Sequence, residues 1–281
     1  MSALLFLFCL LSRVSAIVDT DGAPDDSAPV SSIVYGLLLV YTIVIIIIGL
    51  LGNSFVIFAT LKYSTFGIEH VAVIFIRHLC ICDVLFILCI VVPDCVFYIK
   101  GWLLGVAGCY YNMYVDRCLN SANFKFICII SVHRLVRCIK PQMAGNLTNL
   151  HAHAICGTAW GLSLVELVLI GLGNSKVGYE LGDIKDTIQC KSYHILTDIE
   201  KVLKITHFFI VLVIPFCITL LSSIILWVFV LLRSEKFNYR SITTTSIIST
   251  LVVIAWMPIV KDMKTVFTSN IGGTYPLFSH F

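Results

Sequence analysis

From Ile33 onward the chain alternates long apolar runs with short polar joints. Six runs, at about 33–61, 71–98, 107–138, 154–172, 205–232 and 242–267, are of the roughly 20-residue length that lets a helix cross the hydrocarbon core of a bilayer. A backbone in lipid must satisfy its own hydrogen bonds, so each run is expected to be a helix, and residues 33–267 an all-α membrane bundle. Ahead of the bundle, Ala3 to Leu11 is apolar and is followed by Ser12-Arg13-Val14-Ser15-Ala16. That layout reads as a secretory signal over 1–16, with an uncleaved tail as the other reading. Residues 17–32 carry Asp21, Asp25, Asp26, Pro24 and Pro29 without a core-forming pattern, a polar leader. Residues 268–281 are too short and too polar to cross, so six spans and a short tail are expected.

Basic residues at the span ends orient the bundle. Lys62 in the first joint, Arg137 and Lys140 in the second, and Arg233, Lys236 and Arg240 in the third face only Glu69 and Glu235. These joints are expected in the cytoplasm. The long joint 173–204 balances five lysines with Glu180, Asp183, Asp186, Asp198 and Glu200, and belongs outside with the acidic N-terminus.

Composition agrees with a lipid solvent: of 281 residues, 59% are hydrophobic and 12% charged, and mean hydropathy is +0.98. The net charge of +3 is not gathered into a basic stripe, so a nucleic-acid partner is not expected. Gly171, Gly173 and Lys176 lack a strand-and-helix phosphate cradle, and His151 and His153 have no carboxylate at metal spacing. Neither an enzyme nor a cofactor is indicated.

The most informative run is the third. Cys109 stands at its outer end, Asp116 inside, and Ser131-Val132-His133-Arg134-Leu135 at its inner end, with Pro141 just beyond. Cys109 and Arg134 are roughly 37 Å apart along a helix, so they face opposite compartments. Other landmarks follow in order: Gly52-Asn53, Leu79 with Asp83, Trp102 with Gly105, Trp160, Pro215, and Trp256-Met257-Pro258. In this order and spacing the chain resembles the rhodopsin-like family of G-protein-coupled receptors.

The resemblance implies a receptor in the plasma membrane, with its N-terminus outside, that binds an extracellular ligand and activates a heterotrimeric G protein. His133, Arg134 and Leu135 would couple to the G protein. Asn53, Asp83, Pro215, Trp256 and Pro258 would form the activation switch. Asp83 is an ionisable group near mid-membrane, which marks a polar interior site; in the family it binds sodium with a serine of the third span, whose place Asn123 takes here. Cys109 and Cys190, of 12 cysteines, match the family's extracellular disulfide. Asn238 stands where the family has an acidic partner for the arginine, so an ionic lock is not expected. Val252 and Ser223 replace two further aromatic relay residues.

Asp94, Asp116, Arg117, Glu166, His207, Lys261 and Asp262 are the candidate ligand-facing groups, and so many charges point to a polar or charged ligand. Asp116 occupies the place of the ammonium-binding carboxylate of amine receptors. However, Ile259 and Val260 replace the aromatic pair those receptors carry. The Ser131-to-Arg134 run and the short third inner joint resemble purinergic nucleotide receptors and their peptide- and lipid-sensing relatives, without the basic pattern of their sixth span. The family's seventh span and its Asn-Pro-x-x-Tyr motif have no counterpart in the sequence. Two readings follow: a signalling receptor, or a six-span product that associates with full-length receptors or stays in the endoplasmic reticulum.

Overall fold

The computed structural model describes residues 28–62, 70–100, 104–173, 179–184, 187–192, 206 and 209–232. The expected signal, tail and sixth span lie outside them. The described helices are α1 (Ala28–Lys62), α2 (His70–Phe86), α3 (Val92–Lys100), α4 (Gly105–Ile139), α5 (Pro141–Gly145), α6 (Asn149–Gly173) and α7 (Ile214–Leu232). Span one is α1, span three is α4 and span four is α6. Span two is α2 and α3 joined by a π-helical turn at Ile87–Val91, and span five is α7 preceded by another at Phe209–Val213.

Both π turns have the same cause. Pro93 and Pro215 lack an N–H, which leaves the carbonyls four residues earlier, at Cys89 and Val211, without their usual donor. Each of those carbonyls falls inside a π turn, where the ladder takes up the fault: Val92 donates to the carbonyl of Ile87, five residues back. Pro215 is therefore a local change of helical register. Pro93 does the same in span two.

Among the described residues, four helices are long and apolar enough to cross a membrane: Leu39–Lys62, Val71–Val96, Asn149–Leu169 and Phe209–Phe229. Span three is not one of them, although at 35 residues it has ample length. Asp116, Arg117, Lys125, Arg134 and Arg137 interrupt its apolar run. Its residence in lipid depends on partners for these groups.

The bundle exposes aliphatic faces and buries a set of polar groups beside its apolar core. Leu51 and Phe55 of span one are 68% and 69% exposed, and Leu162, Leu164, Val165 and Val168 line the outer face of span four. Asn53, Asp83, Ser121 and Ser163 are buried. A protein in water could not keep this arrangement, whereas in lipid the exposed aliphatic faces are solvated and the polar groups are paired inside. The core between spans one to four is built on Ile45, Phe75, Ile87 and Phe126. Gly49 lets span one approach closely, since a Cβ there would lie 2.5 Å from Ile87 Cδ1. Span three packs against spans two, four and five.

Two joints have structure that the sequence pattern did not announce. The outer joint contains an antiparallel hairpin, β1 (Tyr179–Ile184) with β2 (Thr187–Ser192), in which Cys190 stands opposite Leu181. β1 lies against span three. The inner joint after span three forms the short α5 with Pro141 in its first turn, where a missing N–H costs nothing.

Span four then starts on a reciprocal cap. Thr148 Oγ1 accepts the His151 N–H at 3.4 Å, and His151 Nδ1 accepts the Thr148 N–H at 3.2 Å. This is the capping-box arrangement with an imidazole in the usual place of Glu. Asn146-Leu147-Thr148 is the glycosylation sequon of the chain, and Asn146 is exposed. With the basic joints inside, Asn146 is expected to stay unmodified. An endoglycosidase-sensitive gel shift of the expressed protein that vanishes in Asn146→Gln would reverse the orientation.

Candidate functional site

Span three organises the polar interior because its polar residues fall on two opposite stripes. With 3.6 residues per turn, Asn112, Asp116, Asn120 and Asn123 share one face, while Cys118, Ser121 and Lys125 share the other. The first stripe meets span two at two points and bonds within itself at a third. Asn112 Nδ2 donates to Asp94 Oδ1 at 3.1 Å, Asn120 Nδ2 to Asp116 Oδ1 at 2.8 Å, and Asn123 Nδ2 to Asp83 Oδ1 at 2.9 Å. Each carboxylate thus receives an amide donor, which is how a costly intramembrane acid is stabilised.

At the outer end, Asp94 and Asp116 are close enough to interact electrostatically. Asn112 Oδ1 is a buried acceptor without a hydrogen-bond partner among the described residues. Tyr110 and Tyr114 stack nearby on span three, with ring centroids 6.3 Å apart. Arg117 is half-buried. Of the ligand-facing candidates, the structure therefore brings Asp94 and Asp116 together.

Glu166 is placed elsewhere. It pairs with Lys125 at 2.9 Å, across the opposite stripe, so it does not join the outer cluster. His207, Lys261 and Asp262 lie outside the described residues, as do Trp256 and Pro258.

In the middle of the bundle Asp83 and Asn53 are each 1% exposed. Asn53 Nδ2 donates to the carbonyl of Gly49 in its own helix at 3.0 Å. Asn123 Oδ1, beside Asp83, is a second buried acceptor without a partner among the described residues. An acceptor oxygen next to a carboxylate is a donor set that suits a hard cation such as sodium.

Trp160 ties three spans together. Its Nε1 donates to His78 Nδ1 of span two at 3.4 Å, and its ring meets Phe126 of span three edge-on at 5.5 Å. His78 stacks on the other side of the same junction, 5.9 Å from Phe126. Nothing in the spacing of His78 announces this role; an imidazole on the inward face of an apolar helix is the signal.

At the inner end, Ser131 Oγ bonds back to the carbonyl of Ile127 at 2.9 Å. His133 is buried with its ring edge-on to Phe75 at 5.4 Å. Arg134 and Leu135 are half-buried, while Val132 and Arg137 are exposed. Among the described residues no carboxylate pairs with Arg134. Span two also closes the end of span one: Arg77 donates to the carbonyl of Thr60 at 2.8 Å, one of the carbonyls that a helix end leaves unsatisfied. Cys109 lies in the first turns of span three and Cys190 in β2.

No curated protein matches the chain. The family described as 7 transmembrane receptor (rhodopsin family) matches residues 52–268, a stretch that takes in spans two to five with the landmarks from Asn53 to Pro258. With most of the sequence covered and a lipid-facing bundle around a polar interior, the chain belongs to the rhodopsin family of seven-transmembrane receptors, and it is a receptor and not an enzyme.

Proposed function

We propose that the receptor binds a polar, donor-rich extracellular ligand in the outer half of its bundle and activates a heterotrimeric G protein at its inner end. The observation that carries this reading is the polar stripe of span three. It runs from the acceptor cluster of Asp94, Asn112 and Asp116, through Asp83 and Asn123, toward Arg134. A ligand cation or N–H group would satisfy the buried oxygen of Asn112 and draw the two carboxylates together.

In this reading Arg117 of span three, His207 of span five and Lys261 of span six complete the ligand cavity. Asn53, Asp83, Pro215, Trp256 and Pro258 carry the change inward, with a sodium ion on Asp83 and Asn123 favouring the resting state. A ligand shifts that balance only by its differential affinity for the two states. His133, Arg134 and Leu135 meet the G protein. The receptor works at the plasma membrane with its N-terminus outside.

The test is nucleotide exchange on a panel of co-expressed heterotrimers, screened with cationic amines and basic peptides. Exchange is expected with at least one such ligand, and Asp116→Asn should raise its half-maximal concentration by roughly tenfold or more, the effect of losing a charge-assisted bond. Surface-delivered receptor that drives exchange on no heterotrimer would overturn the proposal.

A further inference from the structure

The second stripe of span three holds a charge that the ligand and G-protein sites do not use. Lys125 lies nine positions before Arg134, roughly 13 Å deeper along a helix, in a hydrocarbon layer about 30 Å thick. It is therefore near the middle of the membrane, where its stem is too far from either surface for the ammonium to reach water easily. Glu166 brings the opposite charge from span four, seven positions before the end of that helix.

Their surroundings form a closed arrangement. Lys125 Nζ stands 2.9 Å from Glu166 Oε2 and donates to Ser163 Oγ at 3.2 Å. Ser121 Oγ accepts from the same ammonium and donates to the same carboxylate oxygen. Ser163 anchors the group to its own helix by donating to the carbonyl of Ala159 at 3.0 Å. Both serines are completely or almost completely buried, and the two charged side chains are 14% and 16% exposed. Two residues of span three and two of span four thus share one set of donors and acceptors.

We propose that Lys125, Glu166, Ser121 and Ser163 are an intramembrane clamp on which the stable docking of span three against span four, and hence delivery of the receptor to the cell surface, depends. Span three is the described crossing helix whose apolar run is broken by charged residues. A lone charge at a helix centre disfavours membrane residence by roughly a hundredfold. Span four bears the same handicap in Glu166. Each helix becomes acceptable to lipid when the other neutralises it, so the two are stable as a pair and poorly so apart. The geometry also fixes register: sliding either helix by one turn would separate ammonium from carboxylate by about 5 Å. The aliphatic outer face of span four carries no such selectivity.

The experiment compares Lys125→Met, Glu166→Leu and the double variant in the full receptor, with an epitope tag in the polar leader. The fraction at the surface of intact cells is measured against total receptor. Each single variant leaves one charge unpaired in lipid and is expected to lower the surface fraction about fivefold or more. The double variant, which removes both charges and substitutes apolar side chains of similar length, is expected to exceed either single variant and return to within about twofold of the parent. Damage to packing alone would make the double variant at least as poor as the worse single. Single variants at the parent level, or a double variant at or below the worse single, would overturn the clamp.

Discussion

Arg134→Ala is expected to abolish G-protein activation while leaving the receptor at the cell surface. The guanidinium keeps its charge at any physiological pH and offers five donors on a planar fork, well matched to backbone carbonyls at a protein terminus. It lies near the inner end of span three, half-buried, beside a His133 that is locked against Phe75. Among the described residues no carboxylate pairs with the guanidinium. Arg134→Lys should also fail, because an ammonium cannot reproduce the planar fork. Arg137→Ala, three positions on and exposed, should leave exchange within about twofold. The measurement is nucleotide exchange normalised to surface receptor, and exchange that survives Arg134→Ala would make this residue a headgroup anchor.

Loss of either Cys109 or Cys190 is expected to destabilise the outer half by about 2 to 5 kcal/mol and to impair surface delivery. The bridge would close a loop of about 80 residues, long enough for a large entropic effect on the unfolded chain. The fold is compatible with it: β1 lies against span three, and Cys190 sits on the strand paired with β1. Because one bond has two ends, Cys109→Ala, Cys190→Ala and the double variant should lose the same amount. Losses that add, or peptide mapping that finds both thiols free in folded receptor, would rule the bridge out.

The long apolar helices were legible because lipid allows few solutions: a run of that length has to satisfy its own backbone. Asp83 and Arg134 were legible because charge in lipid is rare. What escaped was pairing. The pairing of Glu166 with Lys125 was open to a helical wheel of span three, which places Lys125 and Ser121 together and opposite Asp116. Asn112 and Asn120 were passed over because an uncharged amide carries no warning until its carboxylate is known. The hairpin escaped since its strands are short and its surroundings polar, whereas the π turn of span two was available from Pro93.

That turn has an evolutionary consequence. A π turn holds one residue more than regular helix would over the same rise, so everything outward of Ile87–Val91 is rotated by about 100° relative to an uninterrupted rod. Asp94 meets Asn112 in this rotated phase. A relative that had deleted a single codon here would keep its apolar composition and length almost unchanged, yet would swing its outer carboxylate off span three. In such lineages a one-residue gap, invisible to hydropathy, would unfasten the outer halves of two spans from each other.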